Sequence, residues 1–296
     1  MATLQDIRRR IRSVTNTRKI TKAMELVAAA RLRRAAARIT QMRDYADRMQ
    51  ELTAGTARAA ASLRGLTLLQ QREERTVAVL PITGDRGLAG AFNAQILRRA
   101  FALERQLRSD GKETRWLAVG RKGRSSLEFR RYALDRAWTG FTDRPSYADA
   151  QAIAHHLAEL YEQEEIDRAV IVYNHYVSPL VQRVTEQEVL PISEQMLGRE
   201  GEEEEAEALL GDFIYEPEPE QILERLLPVY LETELYRALL ESAASEHGAR
   251  MTAMRNASKN AGELITSLTL DMNRARQAEI TQEILEVVAG ADALTQ

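Results

Sequence analysis

The chain has 296 residues, of which 44% are hydrophobic and 29% are charged, and its formal net charge is −3. This apolar content can fill a core, which argues against global disorder, and the length suggests about two domains. The chain contains no cysteine, so disulfides, thiolate catalysis and cysteine-ligated zinc are excluded. No apolar run reaches the roughly 18 residues of a membrane-spanning helix, and we expect no such span.

Charge is distributed unevenly along the chain. Residues 1–50 hold 13 Arg or Lys and 4 Asp or Glu, whereas residues 200–220 hold 10 acids and no base. The basic segment is compatible with a solvated helix face, with an acidic protein partner or with nucleic acid. The first two interpretations are favoured.

A long helix is predicted from Thr3 or Gln5 to about Leu63. Thr3 and Asp6 match a capping box, which satisfies free N–H groups of the first turn. Apolar residues recur at the spacing of a coiled-coil seam, the row of side chains that faces a partner helix. The seam residues are Leu4, Ile7, Ile11, Val14, and then Ala28, Leu32, Ala35, Ile39, Met42, Ala46 and Met49.

Between these two runs the seam positions are polar. They hold Arg18, Thr21 and Glu25, while the apolar residues are displaced by one position. We expect this slip to alter the supercoiling and to turn polar groups toward whatever surrounds the helix. The displaced apolar residues are Ile20, Met24 and Val27.

The region from about 76 to 192 alternates between strand and helix patterns. Nearly continuous apolar runs at 76–82, 116–119 and 169–173 are typical of strands buried on both faces of a parallel sheet. Helices are predicted at about 91–108, 121–129 and 146–165, and the alternation indicates βαβ units. Gln182–Leu190 is expected to form an edge strand, and the acidic segment at 199–212 is expected to be a loop.

A second long helix is predicted from Pro219 to about Ala289. Pro228 either kinks it or begins a new helix. Two long helices at opposite ends of the chain indicate an antiparallel coiled coil, because neither can bury its seam alone. The predicted seam holds Ile222, Leu226, Val229, Tyr236, Leu240, Ala243, Met254, Ala257, Ala261, Leu264, Leu268, Ala275, Ala278 and Leu285.

The predicted fold is therefore an antiparallel two-helix coiled coil with an inserted Rossmann-like α/β domain. We divide the chain into an N-terminal coiled-coil helix at 1–65, an α/β globular domain at 66–198, an acidic loop at 199–218 and a C-terminal coiled-coil helix at 219–296.

No pattern in the sequence makes a positive case for an enzyme. The turn at 83–90 lies where phosphate-binding loops sit, but its glycines match neither a dinucleotide fingerprint nor a Walker loop. We interpret it as a strand-to-helix turn with Asp85 and Arg86 exposed. The four histidines are interpreted as surface or packing residues, and no metal or cofactor is expected. These are His155, His156, His175 and His247.

Three segments resemble the γ subunits of F-type ATP synthases. Residues 13–35 are similar to the family's N-terminal helix, whose hallmark is the run at Ile20–Ala29, and residues 236–291 resemble its C-terminal helix. Ile280 to Glu283, Glu286, Gly290 and Ala291 fit the family signature in order and spacing. The central turn, from Asp85 to Leu88 with Gly90 and Asn93, is also similar.

The resemblance implies a rotor shaft that carries no catalytic residue. The coiled coil would stand inside a hexamer of α and β subunits, and the α/β domain would sit on the ε subunit and the membrane c-ring. Ring rotation driven by ion flow would then move each β site through its states. The location implied is peripheral, on the cytoplasmic face of the bacterial plasma membrane.

Partner-contact residues follow from the resemblance by position. Arg276, Gln277 and Thr281 match polar residues that engage β subunits as a catch, and Ile20, Lys22 and Met24 lie on the matching bearing stretch of the first helix. Asp85 and Arg86 belong to the loop of the foot domain, and Glu202–Glu205 could contact a basic face of ε or of the ring.

Three alternatives stay open at this point. The first is a coiled-coil scaffold with an inserted α/β domain, which would form a free homodimer. The second is a nucleotide-binding regulator that depends on Asp85, and the third is a DNA-binding helical protein. The identity of the coupling ion is not encoded in this chain.

Overall fold

A computed structural model describes residues 3–60, 62–63, 65–179, 181–193 and 216–294. The predicted acidic segment at 199–212 lies outside these residues. The described helices are α1 Leu4–Ala59, α2 Phe92–Ser109, α3 Arg121–Phe129, α4 Tyr147–Glu162 and α5 Pro219–Leu294. The described strands are β1 Thr76–Pro81, β2 Glu113–Val119, β3 Leu134–Trp138, β4 Arg168–Tyr176 and β5 Gln182–Leu190.

The chain divides into two compact units. Met1–Ala28 with Met251–Gln296 form the first, which we call the shaft unit, and Ala29–Arg250 form the second, which we call the sheet unit. Both long helices, α1 and α5, therefore contribute residues to each unit. The domain boundaries predicted from the sequence follow the ends of these helices instead, and they remain predictions.

The sheet unit contains one five-stranded sheet in the order β3-β2-β1-β4-β5. The first four strands are parallel to their neighbours, and β5 pairs with β4 in the antiparallel direction. This mixed, Rossmann-like sheet confirms the predicted α/β fold, and β5 confirms the predicted edge strand.

Strand β3 was not predicted from the sequence. Its side chains do not alternate between buried and exposed, because the adjacent Asp135 and Arg136 are both exposed. An edge strand with polar side chains gives little apolar signal. Its pairing with β2 also shifts register between Trp116 and Leu117. The strand is therefore identified by its backbone hydrogen bonds with β2 and not by an apolar pattern in its own sequence.

Each face of the sheet packs against helices, as strands buried on both sides require. Val79, Trp116 and Val172 lie in one buried cluster, together with Ile96 and Ala100 of α2. The opposite face packs on α4 and α5, and its cluster includes Leu80, Leu117, Ile171, Ile153, Leu157, Leu231 and Leu235.

Within the sheet unit, α5 is buried on almost every side from Tyr230 to Arg250. Acidic side chains that are buried there have hydrogen-bond partners, as burial demands. Glu232 accepts from Tyr147 Oη at 2.6 Å, and Glu234 accepts from Gln187 Nε2 at 2.7 Å. Pro228 lies inside the helix without ending it, so the alternative of a second helix beginning there is wrong.

Helix α1 presents the predicted seam inside the sheet unit. Leu32, Ile39 and Ala46 are buried, and Ala35, Met42 and Met49 are half-buried between them. The helix ends at Ala59, four residues before the predicted Leu63.

The two long helices run antiparallel within the sheet unit. Ser62 N, just after α1, donates to Glu220 Oε1 at 3.3 Å. Gln50 and Leu231 line one cavity, and Met42 and Leu240 line another. Residues earlier in α1 thus lie beside residues later in α5, so the two helices are antiparallel, as predicted.

Replacing Leu157 with Ala should lower the free energy of unfolding by about 2–5 kcal/mol, because a fully buried leucine leaves a cavity when it is truncated. Leu157 is 0% exposed at the core between α4 and the sheet. Urea unfolding of the purified chain, followed by circular dichroism, measures the change.

The matched control is Leu52→Ala, the same truncation at a side chain that is 54% exposed on α1. We expect it to change the free energy of unfolding by no more than about 0.5 kcal/mol. Equal losses in the two variants would contradict the assigned core.

Candidate functional site

The shaft unit is an antiparallel pair of helices whose register is set by polar contacts. Arg255 Nε of α5 donates to Glu25 Oε1 of α1 at 3.1 Å. The Arg18 guanidinium lies beside Gly262, 3.7 Å from where a Cβ would stand. The second contact lies seven residues earlier in α1 and seven residues later in α5 than the first, which is the register of an antiparallel pair.

Within the shaft unit the seam does not slip. Thr21 and Glu25 are buried, whereas Ile20 and Val27 are 60% and 54% exposed and Leu26 is also exposed. The expectation that the polar seam residues turn toward the surroundings is therefore wrong for Thr21 and Glu25, whereas Arg18 is exposed as expected. The helix keeps its register and turns apolar side chains outward instead.

Glu25 can occupy a seam position because its charge is matched. Its second oxygen accepts from Lys22 Nζ at 3.0 Å, in addition to the contact with Arg255. The hydrogen bond from Lys22, followed by that from Arg255, lowers the pKa of the Glu25 carboxyl below its ordinary value. A paired carboxylate in a seam favours one register over its neighbours, because a shifted helix would leave the charge unpaired.

The seam of α5 also follows a regular heptad through the shaft unit. Met254 and Ala261 are buried, and Ile265 and Leu268 are half-buried. The sequence placed Leu264, Ala278 and Leu285 in the seam, and all three are exposed. The seven-residue spacing from Met254 through Ala261 reaches Leu268, and between these positions the side chain that turns inward is Ile265, four residues after Ala261, and not Leu264.

The last part of α5 is exposed all round. Every side chain from Arg276 to Ala289 is exposed within the shaft unit. Counting from the contact between Arg18 and Gly262, the start of α1 at Leu4 falls level with Arg276, so α1 provides no partner beyond it. Large apolar side chains remain open to solvent there: Ile280, Ile284, Leu285, Val287 and Val288.

The three predicted catch residues lie at the beginning of this exposed stretch. Gln277 and Thr281 are four residues apart and share a face, and Thr281 Oγ1 donates to the Gln277 carbonyl at 2.9 Å. Arg276 lies on the neighbouring face, and among the described residues no carboxylate forms an ion pair with it. Its guanidinium is thus available to a partner.

The predicted bearing residues form a separate group. Ile20 is exposed, Lys22 is exposed and paired with Glu25, and Met24 is half-buried. The register places them about 24–30 Å along the axis from Arg276, at 1.5 Å per residue. The structure therefore does not bring the two groups together. It adds Leu26, Val27, Leu264 and Leu270 to the apolar side chains exposed on this unit.

The Asp85 carboxylate is buried, against the expectation that it would be exposed. Its side chain is only 5% exposed. Oδ2 accepts from the N–H groups of Gly140 at 2.8 Å and Thr142 at 3.2 Å, and Oδ1 accepts from the N–H of Arg121 at 3.0 Å. One carboxylate thus joins the segments that follow β1, β2 and β3. Arg86 is exposed as predicted.

These hydrogen bonds also determine the charge state of Asp85. Burial by itself raises the pKa of its carboxyl, but the N–H donors of Arg121, Thr142 and Gly140 outweigh burial and lower the pKa below its ordinary value. The group is therefore ionised at neutral pH.

The turn at 83–90 uses its first N–H groups internally. Gly84 N donates to Asn93 Oδ1 at 2.8 Å, and Asp85 N donates to Thr142 Oγ1 at 2.8 Å. A phosphate-binding loop presents such groups to its ligand. The arrangement supports the interpretation of 83–90 as a structural turn.

The four histidines lie in the sheet unit, where one is buried and the others lie near carboxylates. His247 is buried, and burial lowers its pKa to about 4. Each of the other three lies near a carboxylate: His155 near Glu232, His156 near Asp135 and His175 near Glu241. Among the described residues, no group of three His, Asp or Glu side chains is arranged to hold a metal ion.

Comparison with known proteins gives full-length matches. The model of a family described as ATP synthase matches residues 3–294. The ATP synthase gamma chain of Rubrobacter xylanophilus is 48% identical over 99% of both chains. That of Nostoc punctiforme is 44% identical over the full length of both chains.

Solved structures show the same fold. A chain from the central stalk and c-ring of the Tetrahymena thermophila mitochondrial ATP synthase has a TM-score of 0.59 at 27% identity, covering 81% of this chain and 99% of that one. A chain from the rotor of the Euglena gracilis mitochondrial enzyme has a TM-score of 0.64 at 19% identity, covering 94% and 98%.

Replacing Asp85 with Ala should lower the free energy of unfolding by about 2–4 kcal/mol, because three backbone N–H groups lose a charged acceptor. Chemical denaturation of the full chain measures the loss. Arg86→Ala, at the exposed neighbouring position, is the control and should leave stability within about 0.5 kcal/mol. A similar small change in both variants would show that the carboxylate does not hold these segments together.

Stability should also depend on pH through Asp85. Because its pKa is lowered in the folded chain, its contribution is present above the ordinary carboxyl pKa of about 3.9 and is lost as the pH falls through the folded value. We expect the stability difference between wild type and Asp85→Asn to shrink between pH 5 and pH 3. Parallel curves over this range would contradict the assignment.

Proposed function

Since the chain belongs to the ATP synthase gamma chain family, we propose that it is the central rotor shaft of a bacterial F-type ATP synthase. In this role it couples rotation of a membrane ring to ATP synthesis or hydrolysis. It is a non-catalytic subunit, and the catalytic residues belong to the β subunits.

Its partners follow from this position. The shaft unit stands inside a hexamer of α and β subunits, and the sheet unit contacts the ε subunit and the c-ring. Among the described residues no helix is both long and apolar enough to cross a bilayer. From the position of the gamma chain in the complex, we place this chain at the periphery of the membrane, on its cytoplasmic face.

The observation that carries this proposal is the exposed end of α5. From Arg276 onward the helix displays apolar side chains that no other described residue of the shaft unit covers. Exposed apolar surface on this scale marks a contact with another protein. Inside a ring of subunits, an apolar surface that makes no directional contacts can turn against its surroundings and serve as a bearing.

The polar residues at the base of this stretch serve as the catch. Arg276, Gln277 and Thr281 are exposed and carry hydrogen-bonding groups that can form and break contacts with successive β subunits. Ile20, Lys22 and Met24 contribute a second contact, on α1. These two groups lie at different heights on the shaft, so the shaft touches the ring of subunits at two levels.

Reconstitution tests the shaft role. The chain is mixed with the α and β subunits of the same organism, and the native mass and ATPase rate are recorded. We expect a complex with three α subunits, three β subunits and one copy of this chain that hydrolyses ATP at several sites, and removal of residues 277–296 should lower that rate. A chain that stays apart as a homodimer would favour the scaffold alternative instead.

The catch is tested in the same assembly by combining Arg276→Ala with Gln277→Ala. We expect the hydrolysis rate or torque to fall by about tenfold, which corresponds to roughly 1.4 kcal/mol, while the helix content stays unchanged. Asp271→Ala is the control, because this exposed residue points about 140° around the helix from Arg276 and about 120° from Gln277, and it should behave as wild type. Full turnover and coupling in the double variant would refute the catch assignment.

A further inference from the structure

Inside the sheet unit, two loops at the carboxyl end of the sheet bind both long helices. One loop, 139–146, follows β3, and the other is the turn at 83–90 after β1. Their contacts with α1 and α5 form a connected network, which we call the helix clamp and define by Arg31, Asp85, Asp143, His247 and Arg250.

Asp143 contacts both helices at once. Its carboxylate Oδ2 accepts from Arg31 Nη1 of α1 at 2.5 Å. Its backbone carbonyl accepts from His247 Nε2 of α5 at 3.1 Å. The low pKa of His247 keeps its ring neutral at pH 7, with one N–H to donate and the other nitrogen facing Arg250.

The turn at 83–90 holds α5 from a second direction. Arg250 is paired with Glu246 on the same helix, and its Nη2 donates to the Gly87 carbonyl at 3.3 Å. The Glu246 carboxylate lies against Gly84, 2.7 Å from where a Cβ would stand. The turn therefore packs its backbone directly on α5.

Asp85 closes the network between the two loops. It belongs to the turn after β1 and accepts hydrogen bonds from Gly140 and Thr142 of the other loop. Arg31 is thus connected through Asp143 to the loop, through Asp85 to the turn, and through Gly87 to Arg250. The path begins on α1 and ends on α5.

The position of the clamp gives it a mechanical role. The sheet unit begins at Ala29 and ends at Arg250, so Arg31, His247 and Arg250 stand where the two helices leave that unit. The hydrophobic attraction that buries the helices is by itself non-directional. Hydrogen bonds to fixed backbone groups are directional and resist rotation of a helix about its own axis.

We propose that Asp143 is a positioning residue for torque transmission, because it fixes the angle of α1 and α5 relative to the sheet. This inference rests on the proposed function, since torque has meaning only in a rotor. The clamp keeps ring rotation from being lost as a twist of the helices against the sheet unit.

The test uses the complete ATP synthase, assembled with this chain and reconstituted into vesicles. ATP hydrolysis and ATP-driven ion pumping are recorded together, and their ratio is the coupling. For Arg31→Ala we expect near-wild-type hydrolysis and a coupling ratio lower by about threefold, the change that a pair interaction of this size can produce. Asp143→Ala should give the same loss, and Asp143→Asn serves if that variant fails to assemble.

Two further variants separate positioning from general destabilisation. The double variant Arg31→Ala with Asp143→Ala should couple no worse than either single variant, because both remove one interaction. Arg31→Lys keeps the cation and should retain most of the coupling. Arg33→Ala, at an exposed arginine two residues away, is the matched control and should pump as wild type.

The outcomes distinguish the proposed rotor function from the proposed role of Asp143. A wild-type chain that neither assembles nor supports pumping overturns the proposed rotor function and this inference with it. A wild type that pumps, with Arg31→Ala and Asp143→Asn pumping equally well, overturns the inference alone. Additive losses in the double variant would also overturn it, because they would show that Arg31 and Asp143 act independently.

Discussion

A long helix must bury its apolar stripe against something, and this requirement organises the chain. Helix α5 has 76 residues, about 110 Å at 1.5 Å per residue. In the sheet unit it is buried by the sheet, by α4 and by α1. In the shaft unit it pairs with the first residues of α1 as far as Arg276. Beyond that residue no described element covers it, and its exposed isoleucines and valines remain for a partner.

The polar part of the α1 seam changes which side chains reach the surface. With Thr21 and Glu25 turned inward, the apolar Ile20 and Val27 must face outward. Glu25 tolerates this position because Lys22 and Arg255 match its charge. A shaft built in this way exposes both apolar side chains and arginines, so three identical neighbours in a ring can meet different surfaces. Differential contact of this kind is what allows one rotor to hold identical subunits in different states.

Much of this could be predicted from the sequence, and the failures have physical reasons. The long helices, the parallel sheet and the β5 edge followed from apolar periodicity, which reports burial directly. Strand β3 was missed because a polar edge strand is defined by its hydrogen bonds to the neighbouring strand.

The α1 seam was misjudged because periodicity assumes that polar residues avoid buried positions, whereas Arg255, 230 residues further along the chain, makes burial of Glu25 possible. Asp85 was assigned to the surface for the same reason, because its partners come from two other segments, the start of α3 and the loop after β3. The partner-contact residues came from the family resemblance, which gives positions but not the distance between the two groups.

The carboxyl end of an open α/β sheet is where such folds ordinarily bind ligands. In this chain that edge is used differently. The N–H groups at the start of the turn bind Asn93 and Thr142, the Asp85 carboxylate binds backbone donors, and Glu246 lies against Gly84. Groups that would contact a nucleotide in another protein of this architecture contact α5 and a neighbouring loop here. The sheet therefore serves as a mount for the two long helices, and the same geometry that fills the ligand position also fixes the helices where they leave the sheet unit.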